Sequence, residues 1–163
     1  SLTSINLPAL TTISGSAFYS CSSLTSINLP ALTTISGSSA FSNCFSLTSI
    51  NLPALTTISG GSAFYSCSSL VSFLFYNTFT SLLQPQQFTG CVNLKDLQLV
   101  SNWRWSLNVK DTDLTHECII DMFNKLKDLT GEDSLTLTIG ATNLAKVTDE
   151  ELQIPNSKNW TVQ

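Results

Sequence analysis

Few side chains in this 163-residue sequence carry a charge. Asp, Glu, Lys and Arg make up 11%, against about a quarter in an ordinary soluble domain. Lys and Arg number only seven and the net charge is −4. No basic block or aromatic-basic stripe exists to displace counterions from a phosphate backbone, so nucleic acid is excluded as an expected partner. There is one histidine and one methionine. No apolar run approaches the ~20 residues that cross a bilayer, so no membrane span is expected. Nucleophile elbows, zinc-helix signatures, P-loops and dinucleotide glycine patterns are missing. Ser and Thr abound, but a nucleophile needs a base, and the lone His116 sits in a predicted helix. His116, Glu117 and Asp121 could share a helix face around a metal, yet an acid-rich, solvated first helical turn explains the same letters. The expectation is a non-enzyme with no catalytic residue, metal or cofactor.

What is plentiful is repetition. "SLTSINLPALTTISG" opens the chain and returns at Ser23 and Ser46. Aligned starts at Ser1, Ser23, Ser46, Ser69 and Asn93 are separated by 22, 23, 23 and 24 residues, the period of a leucine-rich solenoid. In "LTSINL", Leu24, Ile27 and Leu29 point inward and Asn28 outward. Pro8, Pro30 and Pro53 remove a backbone donor and end each ladder. "ALTTIS" gives a second short β segment with Leu32 and Ile35 inward, small residues turn the corner, and Phe41 and Cys44 plug the third side. One such coil cannot bury its own apolar face; stacked coils turn each position into a buried column.

These residues resemble a known family. "LTSINLPALTTISGSAFYSC" is similar to the BspA-like leucine-rich repeats of bacterial and some protist surface proteins. Three units match at nearly every marked position and the fourth, "SLVSFLFYNTFTSLLQPQQFTGCV", loosely. The resemblance implies a secreted or cell-surface bacterial protein that binds host matrix proteins, epithelial cells or other microbes, fibronectin- and fibrinogen-binding adhesins among its members.

Cys21, Cys44, Cys67 and Cys91 occur once per repeat, spaced too widely for metal clips. A column of buried free thiols is expected, with disulfides or a metal site as the alternative; Cys118 belongs to a helix core.

After Asn93 the period lengthens. "SLNVKDTDLT" from Ser106 is echoed by "TLTIGATNLA" from Thr136, pairing Leu107 with Leu137, Val109 with Ile139, Asp113 with Asn143 and Leu114 with Leu144. Between them, Ile119, Met122, Phe123 and Leu126 have helical spacing, with Thr115 as N-cap and Gly131 as stop. Thr148 and Glu151 form a capping box for a second helix that Pro155 ends, and "WTVQ" adds a last strand. The helices are expected on the outer side. This segment resembles the terminal module of gut-bacterial surface repeat proteins, though Asn159-Trp160 replaces the usual Gly-Trp and "IPNSKN" departs from the family's Ala-Thr-rich turn. The fold expectation is therefore an α/β leucine-rich-repeat solenoid: short, mainly β coils over 1–105, then strand-helix coils of about thirty residues over 106–163 that close one end. The other end begins on the first letter of a repeat, without Met or signal peptide. It reads as a piece of something longer, or as an edge open to self-association with another chain.

Binding is the function left to place. Ser4, Asn6, Ser26, Asn28, Ser49 and Asn51 form a polar, uncharged ribbon suited to a glycan or peptide. Repeat 4 breaks it with Leu74 and Tyr76, and Trp103 and Arg104 follow one coil later. Exposed aromatics at a break suit binding, while sealing the junction between short and long coils explains the same residues. Ser26, Asn28, Ser49, Asn51, Leu74, Tyr76, Trp103 and Arg104 are the candidate site residues for an extracellular protein or glycan. Rival readings are a structural fibre or phage-particle component and the targeting module of a longer enzyme. "NWT" at Asn159 matches a glycosylation sequon that chance could also supply.

Overall fold

The computed structural model describes residues 2–76, 79–80 and 86–163. Each short coil contributes one inward apolar residue, Ile in the first three and then Phe73 and Leu97, to the centre of a three-residue strand. Strands β1 (Ser4–Asn6), β3 (Ser26–Asn28), β5 (Ser49–Asn51), β7 (Ser72–Leu74) and β8 (Asp96–Gln98) pair in parallel in that order. Ile5, Ile27 and Ile50 face one another across the ladder, and Phe73 faces Leu97. A second parallel ladder joins β2 (Thr12–Ile13), β4 (Thr34–Ile35) and β6 (Thr57–Ile58). Ile27, Leu29, Leu32, Ile35, Phe41 and Cys44 are all buried, as the repeat pattern requires.

The third side explains why every unit has Phe three residues before Cys. Phe18, Phe41, Phe64 and Phe88 stack with ring centroids 5.3, 5.6 and 5.7 Å apart and planes within 10° of parallel. The thiols of Cys44, Cys67 and Cys91 each donate to the carbonyl of the Phe one coil back, at 3.2, 3.2 and 3.1 Å. All five cysteines are free thiols. Threonines do the same work at the coil edges. Thr25 and Thr48 bond the carbonyls of Thr3 and Thr25, and Thr33 and Thr56 those of Thr11 and Thr33. Identical letters one period apart thus satisfy one another's backbone.

Where repeat 4 gives way to longer coils, aromatics fill the change of width. Phe73, Phe75, Phe79, Phe88 and Trp103 pack ring to ring with centroids 4.7–6.2 Å apart. The buried Gln87, in the place of the earlier alanines, accepts from the Ala63 N–H at 2.9 Å and donates to the Gly60 carbonyl at 2.6 Å.

The next coils place their helices not on the side away from the first sheet but in its row. The Asp113 and Thr115 N–H groups bond the Leu94 and Lys95 carbonyls as a sixth strand would. Helix α1 (His116–Lys125) then starts, capped by the Thr115 hydroxyl, and packs against β8. Helix α3 (Asp149–Ser157), with its Thr148–Glu151 capping box, packs against α1. Helices therefore continue the row of the first sheet. Strands β9 (Leu107–Asn108), β10 (Leu135–Thr138) and β11 (Trp160–Val162) form a further parallel ladder in which Leu137 faces Leu107, as the thirty-residue echo requires.

Two local expectations are corrected. Helix α1 stops at Lys125, not near Gly131, because Trp103 bonds the Lys125 carbonyl and accepts from Lys127, holding Leu126 in an extended bridge. Pro155 lies inside α3 rather than ending it, and tight bonds from Lys158 to Pro155 and from Asn159 to Asn156 close the last turn. A short helix, α2 (Gly140–Leu144), follows β10 directly. Its Asn143 is fully buried. The side chain accepts from Leu114 N–H at 3.0 Å and donates to the carbonyls of Thr112 and Ile139 at 3.1 and 2.9 Å. Asn143→Ala strands these groups and is expected to lower unfolding stability by about 3 kcal/mol. Urea denaturation checks this, and a loss under about 1 kcal/mol would contradict it. No helix among the described residues is long and apolar enough to cross a membrane.

Candidate interaction surface

Alternation along each strand leaves Ser and Asn on the outward face of the first sheet. Ser26, Asn28, Ser49 and Asn51 are exposed there on successive rungs. The ribbon partly satisfies itself, since Asn28 donates from Nδ2 to Asn6 Oδ1 at 2.9 Å. At the next rung the chemistry changes. Leu74 stands 37% exposed, and half-buried Tyr76 leans back to donate its hydroxyl to Asn51 Oδ1 at 2.7 Å.

Between these side chains and β8 lies a hollow of about 330 Å³ that brings together Ser49, Asn51, Leu74 and Tyr76 with Asp96 and Gln98. Gln98 Nε2 donates to Asp96 Oδ2 at 3.0 Å. Sequence reasoning missed both, although "LKDLQL" puts them at the outward positions that hold Ser and Asn in earlier units. Ser26 and Asn28 lie on the same face one rung away.

Trp103 and Arg104 do not join this group. Trp103 is wholly buried, stacked on Phe79 with its indole N–H donating to the Trp105 carbonyl at 2.7 Å; it seals the junction and is withdrawn from the surface. Exposed Arg104 lines a different hollow, beside Trp105, Val100 and Asn102.

Groups with catalytic potential are engaged elsewhere. His116 Nε2 meets Glu151 Oε1 at 2.8 Å and ties α1 to α3. Burial pushes the Cys44 and Cys118 thiols up to about 11 and Cys91 to about 12, far from thiolate reactivity at neutral pH. Asn159 Nδ2 already donates to the Glu132 carbonyl at 2.8 Å, so the sequon amide has a structural role. No group of three or more His, Cys, Asp or Glu that could hold a metal occurs among the described residues.

Short parallel coils, a plugged third side and a polar outward face define a leucine-rich-repeat solenoid, a class built to present a protein-interaction surface. A family profile described as the BspA type leucine rich repeat region matches residues 1–105 in 6 copies. The chain belongs to that family. It is also similar to the solved structure of the T. pallidum leucine-rich repeat protein, with a TM-score of 0.57 at 19% identity, covering 99% of this chain and 86% of that one. That likeness shows the shared fold. Comparison with curated proteins gave no match.

Proposed function

We propose that this protein is a non-catalytic recognition module, secreted or held at the cell surface, that binds host or microbial macromolecules through the outward face of its first sheet. The observation that carries the reading is the break in the Ser/Asn ribbon. An apolar, aromatic shelf of Leu74 and Tyr76 opens there into a hollow walled by Asp96 and Gln98. Exposed apolar anchors beside polar groups are what partners use to gain affinity. Membership of a family of surface repeat proteins supports the location, and along the uncharged Ser/Asn rungs hydrogen bonding and apolar contact are the means of recognition. The bipartite unit 1–105 and 106–163 acts in this reading as a repeat surface with its closing module.

The test is binding of the purified chain to immobilised fibronectin, fibrinogen, other matrix proteins and a glycan array. Leu74→Asn restores the ribbon residue of earlier repeats and Tyr76→Ser removes the ring. The double variant is expected to fold normally and to lose binding by about tenfold or more. Absence of wild-type binding across the panel, or binding indifferent to the double variant, sinks the proposal.

A further inference from the structure

We infer that the outward face from β7 to α1 receives an extended polypeptide segment bearing an apolar side chain and, further along it, a lysine or arginine. This rests on the interaction reading above and narrows it to one class of partner. The Leu74–Tyr76 hollow and a second hollow of about 330 Å³ between β8 and α1 share Asp96 and Gln98 as a common wall. Together they form one trough along the stacking direction. From the β5 rung to α1 is three rungs, about 14 Å at ~4.8 Å each, which four to five extended residues span.

The two ends of the trough differ in chemistry. At the first, Leu74, Tyr76 and the edge of Phe73 offer apolar contact. At the second, Asp96, Glu117 and Asp121 meet a single cation, Lys125, already paired with Asp121 at 2.8 Å. Asp96 and Glu117 have no ion-pair partner among the described residues. The eight residues outside the description carry no charged side chain to supply one. Lys95 is not part of the lining, and its charge acts on Asp113. Three acids against one lysine leave the second hollow two charges negative. A cation docked there gains from this field, whereas anions are repelled. Neutral sugars hydrogen-bond to carboxylates such as Asp96 and Glu117 but draw nothing from the net charge, and acidic sugars are repelled by it. A polypeptide carries both an aliphatic group and a cation on one backbone at the required separation, so the trough favours it over a glycan.

The experiment selects displayed random hexapeptides on the intact chain and measures the affinity of the strongest by fluorescence polarisation. Enrichment of Lys or Arg beside an aliphatic or aromatic residue is expected, with affinity falling as salt rises. Asp96→Asn with Glu117→Gln should weaken the selected peptide about five- to tenfold. Glu117→Lys brings the hollow from two charges negative to neutral, so the advantage of the selected peptide over the same peptide with Glu in place of its cation should vanish, a change of specificity that mere structural damage does not produce. Selection of uncharged or acidic peptides, no selection, or indifference to the Asp96 and Glu117 variants overturns the inference. If matrix or glycan binding then still depends on Leu74 and Tyr76, the recognition reading stands and only the choice of a cationic polypeptide has failed. If no binding depends on them, both fall.

Discussion

Gly60→Ala will split the stack of coils, while Gly61→Ala, one residue further on, will leave it intact. A Cβ built on Gly60 falls 2.2 Å from the Gly37 carbonyl oxygen and 2.6 Å from the Ser38 nitrogen, and one on Gly37 falls 1.9 Å from the Gly15 nitrogen. The obstacles are backbone atoms of the preceding coil, which no rotamer change can move aside. Coils two and three must separate at this corner, and the neighbouring bonds from Ser39 N–H to the Gly61 carbonyl and from Ser59 N–H to the Ile35 carbonyl stretch with it. The expected loss is at least about 3 kcal/mol. At Gly61 nothing lies within 4 Å and no left-handed backbone is required. Alanine there should change stability by no more than about 0.5 kcal/mol, with a slight gain from the stiffer unfolded chain. Paired urea titrations decide it. Equal effects at the two sites would mean that the glycine column does not set the coil spacing.

That column was legible in the letters, since Gly15, Gly37 and Gly60 each follow Ile-Ser. So were the inward Leu and Ile positions, the Phe and Cys plug, both helix N-caps and the thirty-residue register. All are local patterns or self-matches one period apart, where like packs on like. What escaped is decided by distant partners. The end of α1 depends on Trp103, a residue 22 positions earlier that pairs with Leu126. Pro155 is the exception, since the bonds that close the turn after it, from Lys158 to Pro155 and from Asn159 to Asn156, are local. The α2 turn forms around Asn143, whose bonds reach Thr112 and Leu114. The side on which the helices stand follows from Asp113 and Thr115 continuing the ladder of β8, a pairing that spacing within the helices does not encode.

The surface was half legible for the same reason. Outward positions in each strand follow from alternation, so Leu74 and Tyr76 stood out as breaks in a repeated ribbon. Trp103 did not declare its burial, because an aromatic after the last regular strand reads equally as a plug or an anchor. Asp96 and Gln98 fall at ribbon positions but in a diverged unit, where no break marks them. Glu117 and Asp121 join them only because α1 occupies the rung after β8.

Alkaline solution will unfold the protein well below the pH at which its peptide backbone suffers. The thiols of Cys44, Cys67, Cys91 and Cys118 are all pushed up from 9.0, foremost by burial. Neighbouring sulfurs add to it at Cys67, flanked by Cys91 and Cys44, and carboxylates add to it at Cys91 and Cys118. The neutral thiol is thus the form the fold holds, and the thiolate is favoured in the unfolded chain. Each thiol's contribution is complete below pH 9 and is lost as pH rises towards its folded value, about 11 for Cys44 and about 12 for Cys91. The slope is about 1.4 kcal/mol per pH unit for each thiol. Four such groups remove several kcal/mol between pH 9 and 11, a large share of the roughly 5–15 kcal/mol that holds a domain together. Urea midpoints should be level from pH 7 to 8.5 and fall steeply above 9, and iodoacetamide should label these four cysteines only as the midpoint falls. Replacing Cys44, Cys67 and Cys91 together by Ala lowers the plateau through lost packing but should flatten the alkaline slope to that of the remaining groups. A slope unchanged in that variant would show that the thiol column does not govern alkaline stability. A flattened slope would show that the three buried sulfurs bonded to three phenylalanine carbonyls set the alkaline limit of the solenoid through their burial on its third side.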